Sequence, residues 1–276
     1  MRAERIRTVL GHVVLMIGVL ISIFPFYWMI VIASNTSGDM FKYPPKLLPG
    51  GDLLVNMHHV LQNIDFWGSF GFTIATAAVA TVLVLFFDSL AAFAFAKYDF
   101  PGKKVLFTIL LATFMIPAQL SLVPSFVTLS WFGWVGSMKA LVIPGAANAF
   151  GIFWMRQYAS GAVPDELIQA SKVDGAGFFR QYWTVGLPVL RPGLAFLGIF
   201  TFIGVWNDYL WPLIVLTDPG KVTLQVALQQ LNTVVGATDY SMVMAGALMS
   251  VIPLVGIFLI GARQFIADIA AGAMKF

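Results

Sequence analysis

The apolar residues of this chain are collected into long runs, and the polar residues occupy short intervals between them. A helix needs about 20 mainly apolar residues to cross the hydrocarbon layer of a membrane. Six stretches meet this requirement and are predicted to be transmembrane helices: Val9–Ala33, Phe70–Ala96, Val105–Leu129, Met138–Met155, Leu194–Leu216 and Met242–Ala262. The pattern therefore predicts an all-α membrane protein with a single transmembrane domain over residues 1–276.

The composition also favours lipid as the solvent of these runs. Of the 276 residues, 59% are apolar and only 11% are charged, and the mean hydropathy is +0.86. A soluble domain has roughly a quarter of its residues charged, because its surface faces water. The chain contains no cysteine, which excludes disulfides and thiolate metal sites.

The first apolar run follows Arg2, Arg5 and Arg7, a pattern that a cleaved signal peptide also shows. The apolar core of a signal peptide is about 7–15 residues long. Because the run in this chain is longer, we interpret it as a retained first span.

The basic residues are distributed unevenly between the two sides of the membrane that six spans define. Cytoplasmic loops of membrane proteins carry an excess of Lys and Arg. With a cytoplasmic N-terminus, twelve basic residues lie inside: Arg2, Arg5, Arg7, Lys97, Lys103, Lys104, Arg156, Lys172, Arg180, Arg191, Arg263 and Lys275. Four lie outside: Lys42, Lys46, Lys139 and Lys221. Both termini are therefore predicted to be cytoplasmic.

The predicted cytoplasmic loop over residues 156–191 is polar enough to leave the bilayer, yet its pattern is that of folded structure. Pro164, Asp165 and Glu166 are typical of a helix start, because proline lacks an N–H that would need a partner there and acids complement the helix dipole. Gly175 is expected to end this helix, because glycine tolerates the left-handed conformation found at helix ends.

A second short helix is predicted to follow and to end before Leu187-Pro188, because a residue before proline disfavours the helical conformation. Four aromatic residues lie on it at helical spacing: Phe178, Phe179, Tyr182 and Trp183. Aromatic residues of this kind are common in the membrane interface. The alternative is a protruding helix-turn-helix that docks into a partner protein.

The segment from Glu166 to Ala176, with Leu187-Pro188 after it, resembles the coupling motif of ABC importer permeases. In that family a Glu-Ala-Ala triplet precedes an Asp-Gly pair, and a Leu-Pro pair lies near the next span. Further segments resemble the carbohydrate-uptake, maltose-type branch of the family: 89–96, 100–102, 206–208, 211–213 and 271–273. The resemblance extends over nearly the whole chain.

This resemblance implies the type I ABC importer permease fold, with six transmembrane helices and a cytoplasmic helix-turn-helix coupling loop. It implies a subunit of a sugar importer in a bacterial cytoplasmic membrane. The implied partners are a second permease, two ATP-binding subunits and an extracytoplasmic sugar-binding protein. The implied ATPase-coupling residues are Glu166, Gln169, Ala170, Ser171, Asp174, Gly175, Phe178, Phe179, Leu187 and Pro188.

Two positions depart from the family pattern. Gln169 is an amide where the family has a glutamate, so a salt bridge to the ATPase is not expected there, while docking by shape remains compatible with the motif. Asp88 is an acid where the family usually has a neutral residue.

The chain has no phosphate-binding loop of the Gly-x-x-x-x-Gly-Lys-Ser/Thr type. It is therefore predicted to be a translocation subunit and not an enzyme. ATP and Mg²⁺ are expected on partner subunits, with no cofactor in this chain.

Two other functions are compatible with a membrane protein of this kind. A proton-coupled secondary transporter would use intramembrane acids, and Asp88 and Asp208 are the candidates. An intramembrane serine protease would need a histidine opposite a serine within the bilayer. The three histidines are His12, near the start of the first span, and His58 and His59 in the outer loop, which disfavours the protease.

A pathway for a sugar needs hydrogen-bonding side chains around a cavity and aromatic faces for the ring. The candidates within the predicted spans are Gln119, Ser121, Asn148, Trp206, Asn207, Asp208 and Tyr209. Polar residues in membrane helices also join helices to one another, each contact being worth about 1 kcal/mol. Both roles are open for these residues.

The distribution of basic residues generates a test of orientation. Cysteines introduced by Gly51→Cys and Gly177→Cys into this cysteine-free chain are expected to react with a membrane-impermeant thiol reagent from opposite sides. The measurement is labelling of intact cells and of inverted vesicles. Labelling of both positions from outside intact cells would reject the predicted orientation.

Overall fold

The computed structural model describes residues 2–232 and 238–273, with side chains for 7–232 and 238–259. All regular structure in these residues is helical, as predicted. The α-helices are α1 (Arg2–Ala33), α2 (Leu53–Asn63), α3 (Phe66–Lys97), α4 (Lys103–Phe114), α5 (Leu122–Trp131), α6 (Met138–Val142), α7 (Ala149–Ala162), α8 (Asp165–Val173), α9 (Phe178–Gln181), α10 (Leu187–Trp206), α11 (Leu210–Val215), α12 (Leu224–Gln230) and α13 (Tyr240–Ala273). Short 3₁₀ segments cover Ser37–Phe41 and Ala118–Ser121, and a π-helical turn covers Tyr182–Gly186.

Four described helical segments are long and apolar enough to cross a membrane: Arg7–Ala33, Phe66–Lys97, Phe178–Trp206 and Tyr240–Leu259. The segments Lys103–Phe114 and Ala118–Trp131 form a fifth candidate, bent by 93° at the break between them. The structure thus supports an all-helical membrane fold, but the predicted number of six spans is not confirmed.

Three of the predicted spans are divided into shorter helices. The stretch from Val105 to Leu129 is bent near Pro117, and residues 143–148 separate α6 from α7 inside the stretch from Met138 to Met155. Residues 207–209 separate α10 from α11. A count of apolar residues does not detect such breaks, because non-helical backbone at membrane depth is tolerated where it lines a cavity or is buried in protein.

The chain forms two compact units. The first contains the described parts of residues 1–66 and 227–253. In this unit Asn56 donates its amide hydrogens to the carbonyls of Ala33 (2.9 Å) and Asn35 (3.0 Å), which closes the end of α1 onto α2. Asp39 pairs with Lys42 at 2.7 Å and Lys46 at 2.6 Å, and these ammonium groups hold the pKa of its carboxyl well below the usual range.

The second unit contains the described parts of residues 67–226 and 254–276. Its main apolar cluster is formed by α3, α7, α8 and α10, together with the π-helical turn. Glycines let these helices approach closely. An added Cβ at Gly186 would lie 2.8 Å from the ring of Phe93, and one at Gly193 would lie 2.8 Å from the ring of Tyr158.

The glycine contact between α7 and α10 gives a stability prediction. Gly193→Ala is expected to destabilise the protein by about 1–3 kcal/mol, because the new methyl group overlaps the ring of Tyr158. The matched control is Gly204→Ala in the same helix, where an added Cβ meets no atom within 4 Å. Thermal unfolding in detergent measures both variants. Equal unfolding midpoints for the two would contradict the close packing at Gly193.

Candidate functional site

The first half of the predicted cytoplasmic loop forms α8. This helix begins at Asp165, directly after Pro164, where the sequence pattern predicts a helix start. Asp165 and Glu166 lie in its first turn, and Lys172 lies in its last turn, so the charges complement the helix dipole at both ends.

The turn after α8 is a Schellman motif. Ala176 N–H donates to the carbonyl of Ser171 at 2.9 Å, and Gly175 N–H donates to that of Lys172 at 3.0 Å. Gly175 has φ +73°, as the pattern predicts for the residue that ends the helix. An added Cβ there would meet no atom within 4 Å, so its conformation and not crowding is the reason for glycine.

The second helix of the loop does not end before Leu187-Pro188. α9 continues through the π-helical turn into α10, and Leu187 is helical with φ −57° and ψ −44°. Pro188 directly follows the π-helical turn, in which the Leu187 N–H donates to the carbonyl of Tyr182, five residues back. The prediction that the helix ends here is therefore wrong, because the π-helical turn changes the hydrogen-bond register just before the proline.

The α8–α9 segment, called the hairpin below (residues 163–181), is held by polar contacts from the end of α3. Lys97 pairs with Asp165 at 2.7 Å, and the Lys97 side chain is only 5% exposed. Tyr98 donates its hydroxyl to the side-chain carbonyl of Gln181. Lys97 also lowers the pKa of the exposed Asp165 carboxyl through the hydrogen bond between them.

Aromatic packing adds to these polar contacts, and together they form what is called the seat of the hairpin below. The ring of Phe178 lies 5.1 Å from that of Tyr98 and 5.9 Å from that of Phe93, measured between centroids. Lys172 Nζ lies 5.1 Å from the Tyr98 ring centroid, within the range of a cation–π contact. The hairpin is thus fixed to α3 at both of its helices.

The hairpin presents a mixed polar and apolar face to the surroundings. Among the predicted coupling residues, the exposed ones are Glu166, Gln169, Ala170, Asp174, Gly175, Phe179 and Pro188, and the half-buried ones are Ser171, Phe178 and Leu187. Phe179 is 62% exposed although it is aromatic. The assignment of these residues to ATPase coupling stays a prediction.

Sequence reasoning missed the residues that seat the hairpin, of which Lys97, Tyr98 and Gln181 are the clearest. Lys97 and Asp165 are 68 positions apart, and Tyr98 and Gln181 are 83 apart. No local spacing connects residues at such separations. The only local signal was that Lys97 and Tyr98 directly follow an apolar span.

The predicted pathway residues lie in three separate places. Gln119 and Ser121 are exposed in the 3₁₀ segment between α4 and α5. Asn148 caps the start of α7 and accepts the Gly151 N–H at 2.8 Å. Trp206 is completely buried, with its ring beside those of Phe70 and Phe202.

The remaining candidates follow α10. Asn207 donates its side-chain amide to the carbonyl of Ile203 at 2.9 Å, and Asp208 accepts hydrogen bonds from the backbone of Tyr209 and Trp211. Tyr209 is half-buried. Contact of any of these residues with a sugar stays a prediction.

Two cavities in the second unit adjoin the helix breaks. The larger, of about 500 Å³, is lined by residues 113–118 and 148–150. The smaller, of about 240 Å³, lies among α3, α7, α10 and the segment before α7. Asn148 and Phe150 line both cavities.

Long apolar helices, helix breaks beside cavities and an exposed hairpin define a polytopic membrane protein of the transporter class. Comparison with known families agrees, because residues 88–262 match the family described as binding-protein-dependent transport system inner membrane component. This chain belongs to that family.

Individual relatives extend over almost the whole chain. It is 32% identical to the sn-glycerol-3-phosphate transport system permease protein UgpE of Yersinia enterocolitica, over 92% of this chain and 93% of that one. It is 31% identical to the arabinooligosaccharides transport system permease protein AraQ of Halalkalibacterium halodurans, over 92% of each chain. Its fold is similar to a chain of a bacterial ABC transporter involved in the import of the acidic polysaccharide alginate, with a TM-score of 0.82, 25% identity and coverage of 96% and 98%.

The seat of the hairpin generates a prediction about Asp165. Asp165→Asn removes the carboxylate that pairs with the buried Lys97, so the hairpin is expected to be cut faster by trypsin at Lys172 and Arg180. The measurement is the rate of cleavage of the protein in detergent. Because Lys97 lowers the pKa of Asp165, the ion pair is present at neutral pH, where trypsin cleaves, and is lost only as the pH falls through that lowered pKa.

The matched control is Asp99→Asn. Asp99 pairs with Lys103 at 3.0 Å, but its carboxylate is fully exposed, and exposed ion pairs contribute little. Cleavage of Asp165→Asn at the rate of Asp99→Asn would show that the Lys97 contact does not hold the hairpin.

Proposed function

We propose that this chain is the membrane-spanning permease subunit of an ATP-driven sugar importer and forms half of the translocation pathway. The observation that carries the proposal is the hairpin, which combines the coupling motif with a rigid turn, an exposed face and a fixed seat on α3. Family membership and the permease relatives support it.

The hairpin is the part that couples the chain to a cytoplasmic ATPase. Its exposed Phe179 and the Gly175 turn offer an apolar knob and a tight bend that fit a groove in a partner. Gln169 is exposed and neutral, so docking here depends on shape and hydrogen bonds more than on an ion pair. Movement of the docked ATPase would be passed through the seat to α3.

The assembly consists of this chain, a second permease, two ATP-binding subunits and an extracytoplasmic sugar-binding protein. ATP and Mg²⁺ are bound by the ATPase subunits, so this chain is a translocation subunit without a cofactor of its own. It lies in the bacterial cytoplasmic membrane with both termini in the cytoplasm. Support comes from the family description and from the twelve-to-four distribution of basic residues.

The solute is a sugar or a sugar derivative. The relatives named above are permeases for a polyol phosphate and for arabinooligosaccharides, and the related structure belongs to an importer of an acidic polysaccharide. These solutes share hydroxyl groups and differ in charge and size. The substrate class proposed for this chain therefore rests on hydroxyl-rich chemistry, for which a pathway needs hydrogen-bonding side chains.

The function is tested with the complete complex, assembled with the partner subunits and the binding protein. Gly175→Ala is expected to cost about 1 kcal/mol of local strain, because φ is +73°. Gly175→Asp adds bulk and charge beside Asp174, so sugar uptake and stimulated ATP hydrolysis are expected to fall together at normal membrane abundance. Gln169→Glu, which restores the family carboxylate, is expected to be tolerated.

Two controls separate coupling from folding and from charge. Gly177→Ala alters a glycine in the same loop with φ −73° and should leave activity unchanged. Gly161→Asp adds an equal charge at the exposed end of α7, where no atom lies within 4 Å of an added Cβ. The isolated chain should hydrolyse no ATP. Normal uptake by Gly175→Asp would remove the main support for the proposed function.

A further inference from the structure

Asp88 is completely buried in α3, and both of its carboxylate oxygens accept hydrogen bonds from one residue. Asn148 donates its backbone N–H to Oδ1 at 3.0 Å and its side-chain amide to Oδ2 at 2.9 Å. Among the described residues, Asp88 forms no ion pair. A buried carboxyl group without a cation nearby is stabilised by its hydrogen bonds, so the loss of its contact with Asn148 would be costly.

The backbone around the contact leaves room for the carboxylate and for little else. An added Cβ at Gly151, in the first turn of α7, would lie 1.9 Å from Asp88 Oδ2. Glycine at this position therefore lets α3 bring its carboxylate against the start of α7.

The hydrogen bonds have a fixed direction. Asn148 Oδ1 accepts the Gly151 N–H at 2.8 Å, while its Nδ2 donates to Asp88. Turning the amide over would place its Nδ2 against the Gly151 N–H and its oxygen against the carboxylate. Only one orientation of Asn148 satisfies both neighbours, and Asp88 must act as the acceptor.

Asn148, like Phe150, lines both of the cavities described above. It lines the cavity of about 500 Å³ beside the break after α4 and the cavity of about 240 Å³ among α3, α7 and α10. It is the last residue of the non-helical segment 143–148, where its side chain caps α7 and its backbone N–H donates to Asp88. The position of this wall between the cavities therefore depends on what fixes Asn148.

We propose that Asp88 is a positioning residue, which holds Asn148 in the wall between the two cavities so that the pathway can open and close at this point. The proposal rests on the proposed function for its role in transport. Asp88 acts through Asn148, and its role in this proposal is to fix that residue. Its importance lies in the hydrogen-bond pair and not in its charge alone.

The pair can be tested by exchanging its members. Asp88→Asn places two amide NH₂ groups against each other, and Asn148→Asp places two carboxylates against each other. In the double exchange, the amide at position 88 donates to the carboxylate at position 148, which can still accept the Gly151 N–H. All three hydrogen bonds are then restored with the same total charge.

A thiol in the wall reports its position without any transport. Val142 is 6% exposed and lines the smaller cavity just before the break, so Val142→Cys in this cysteine-free chain should react slowly with a water-soluble maleimide. Each single variant is expected to raise the reaction rate about ten-fold, the scale expected when a buried polar group loses its partner. The double exchange should return the rate to that of the Val142→Cys parent.

Uptake by the complete complex is the second measurement. The maximal rate per complex should fall in each single variant and recover in the double exchange, while the concentration of loaded binding protein that gives half-maximal stimulation stays unchanged. General destabilisation by Asp88→Asn would not be repaired by a second substitution at position 148.

Two results would overturn the proposal. One is a double exchange that stays as reactive and as slow as the single variants, which would show that the two residues do not act as a pair. The other is thiol exposure in the single variants with uptake at the rate of the parent. Failure of the proposed function is separate, because it would appear as a parent complex that does not hydrolyse ATP in response to loaded binding protein, whatever the thiol rates are.

Discussion

The hydrocarbon layer offers no hydrogen-bond partner to a peptide N–H or C=O group, and this constraint determines most of the structure. The long helices satisfy their backbone internally. Where the chain leaves helical geometry, other groups replace the missing partners: Asp88 accepts the N–H of Asn148, and Trp211 donates its indole N–H to the carbonyl of Ala140 at 3.0 Å. The break between α6 and α7 is therefore supported on both sides by a side chain from a distant part of the sequence.

Features of the chain that depend on local pattern could be predicted from the sequence. Apolar runs predict the helical membrane fold because each residue contributes independently to the transfer free energy. The start of α8 and the left-handed Gly175 follow from neighbouring residues, and they were found. The continuation of the helix through Pro188 could not be predicted, because the π-helical turn before it has no local sequence signature.

Features that depend on distant contacts could not be predicted. The sequence marks Asp88 as an unusual intramembrane acid, but its partner Asn148 is 60 positions away, and the pattern leaves both sugar contact and helix–helix contact open for that residue without indicating a partner. Trp206 has an aromatic ring of the kind that stacks on a sugar, yet the fold buries this ring against Phe70 and Phe202. Residue type predicts what a side chain can do, while the fold decides which surface it faces.

Ser89 follows Asp88 directly in α3, and its hydroxyl lies 2.7 Å from that of Tyr182 in the π-helical turn. Successive residues of an α-helix point about 100° apart, so α3 holds the cavity wall on one side and the helix that continues from the hairpin on another. The number of residues between these two contacts and Lys97 fixes how far apart along α3 they lie and in which directions around the helix they point. Evolution can change the side chains along this segment, whereas an insertion or deletion between Asp88 and Lys97 would rotate one contact away from the other. The length of α3 between Asp88 and Lys97 is therefore as important for these contacts as the identity of its residues.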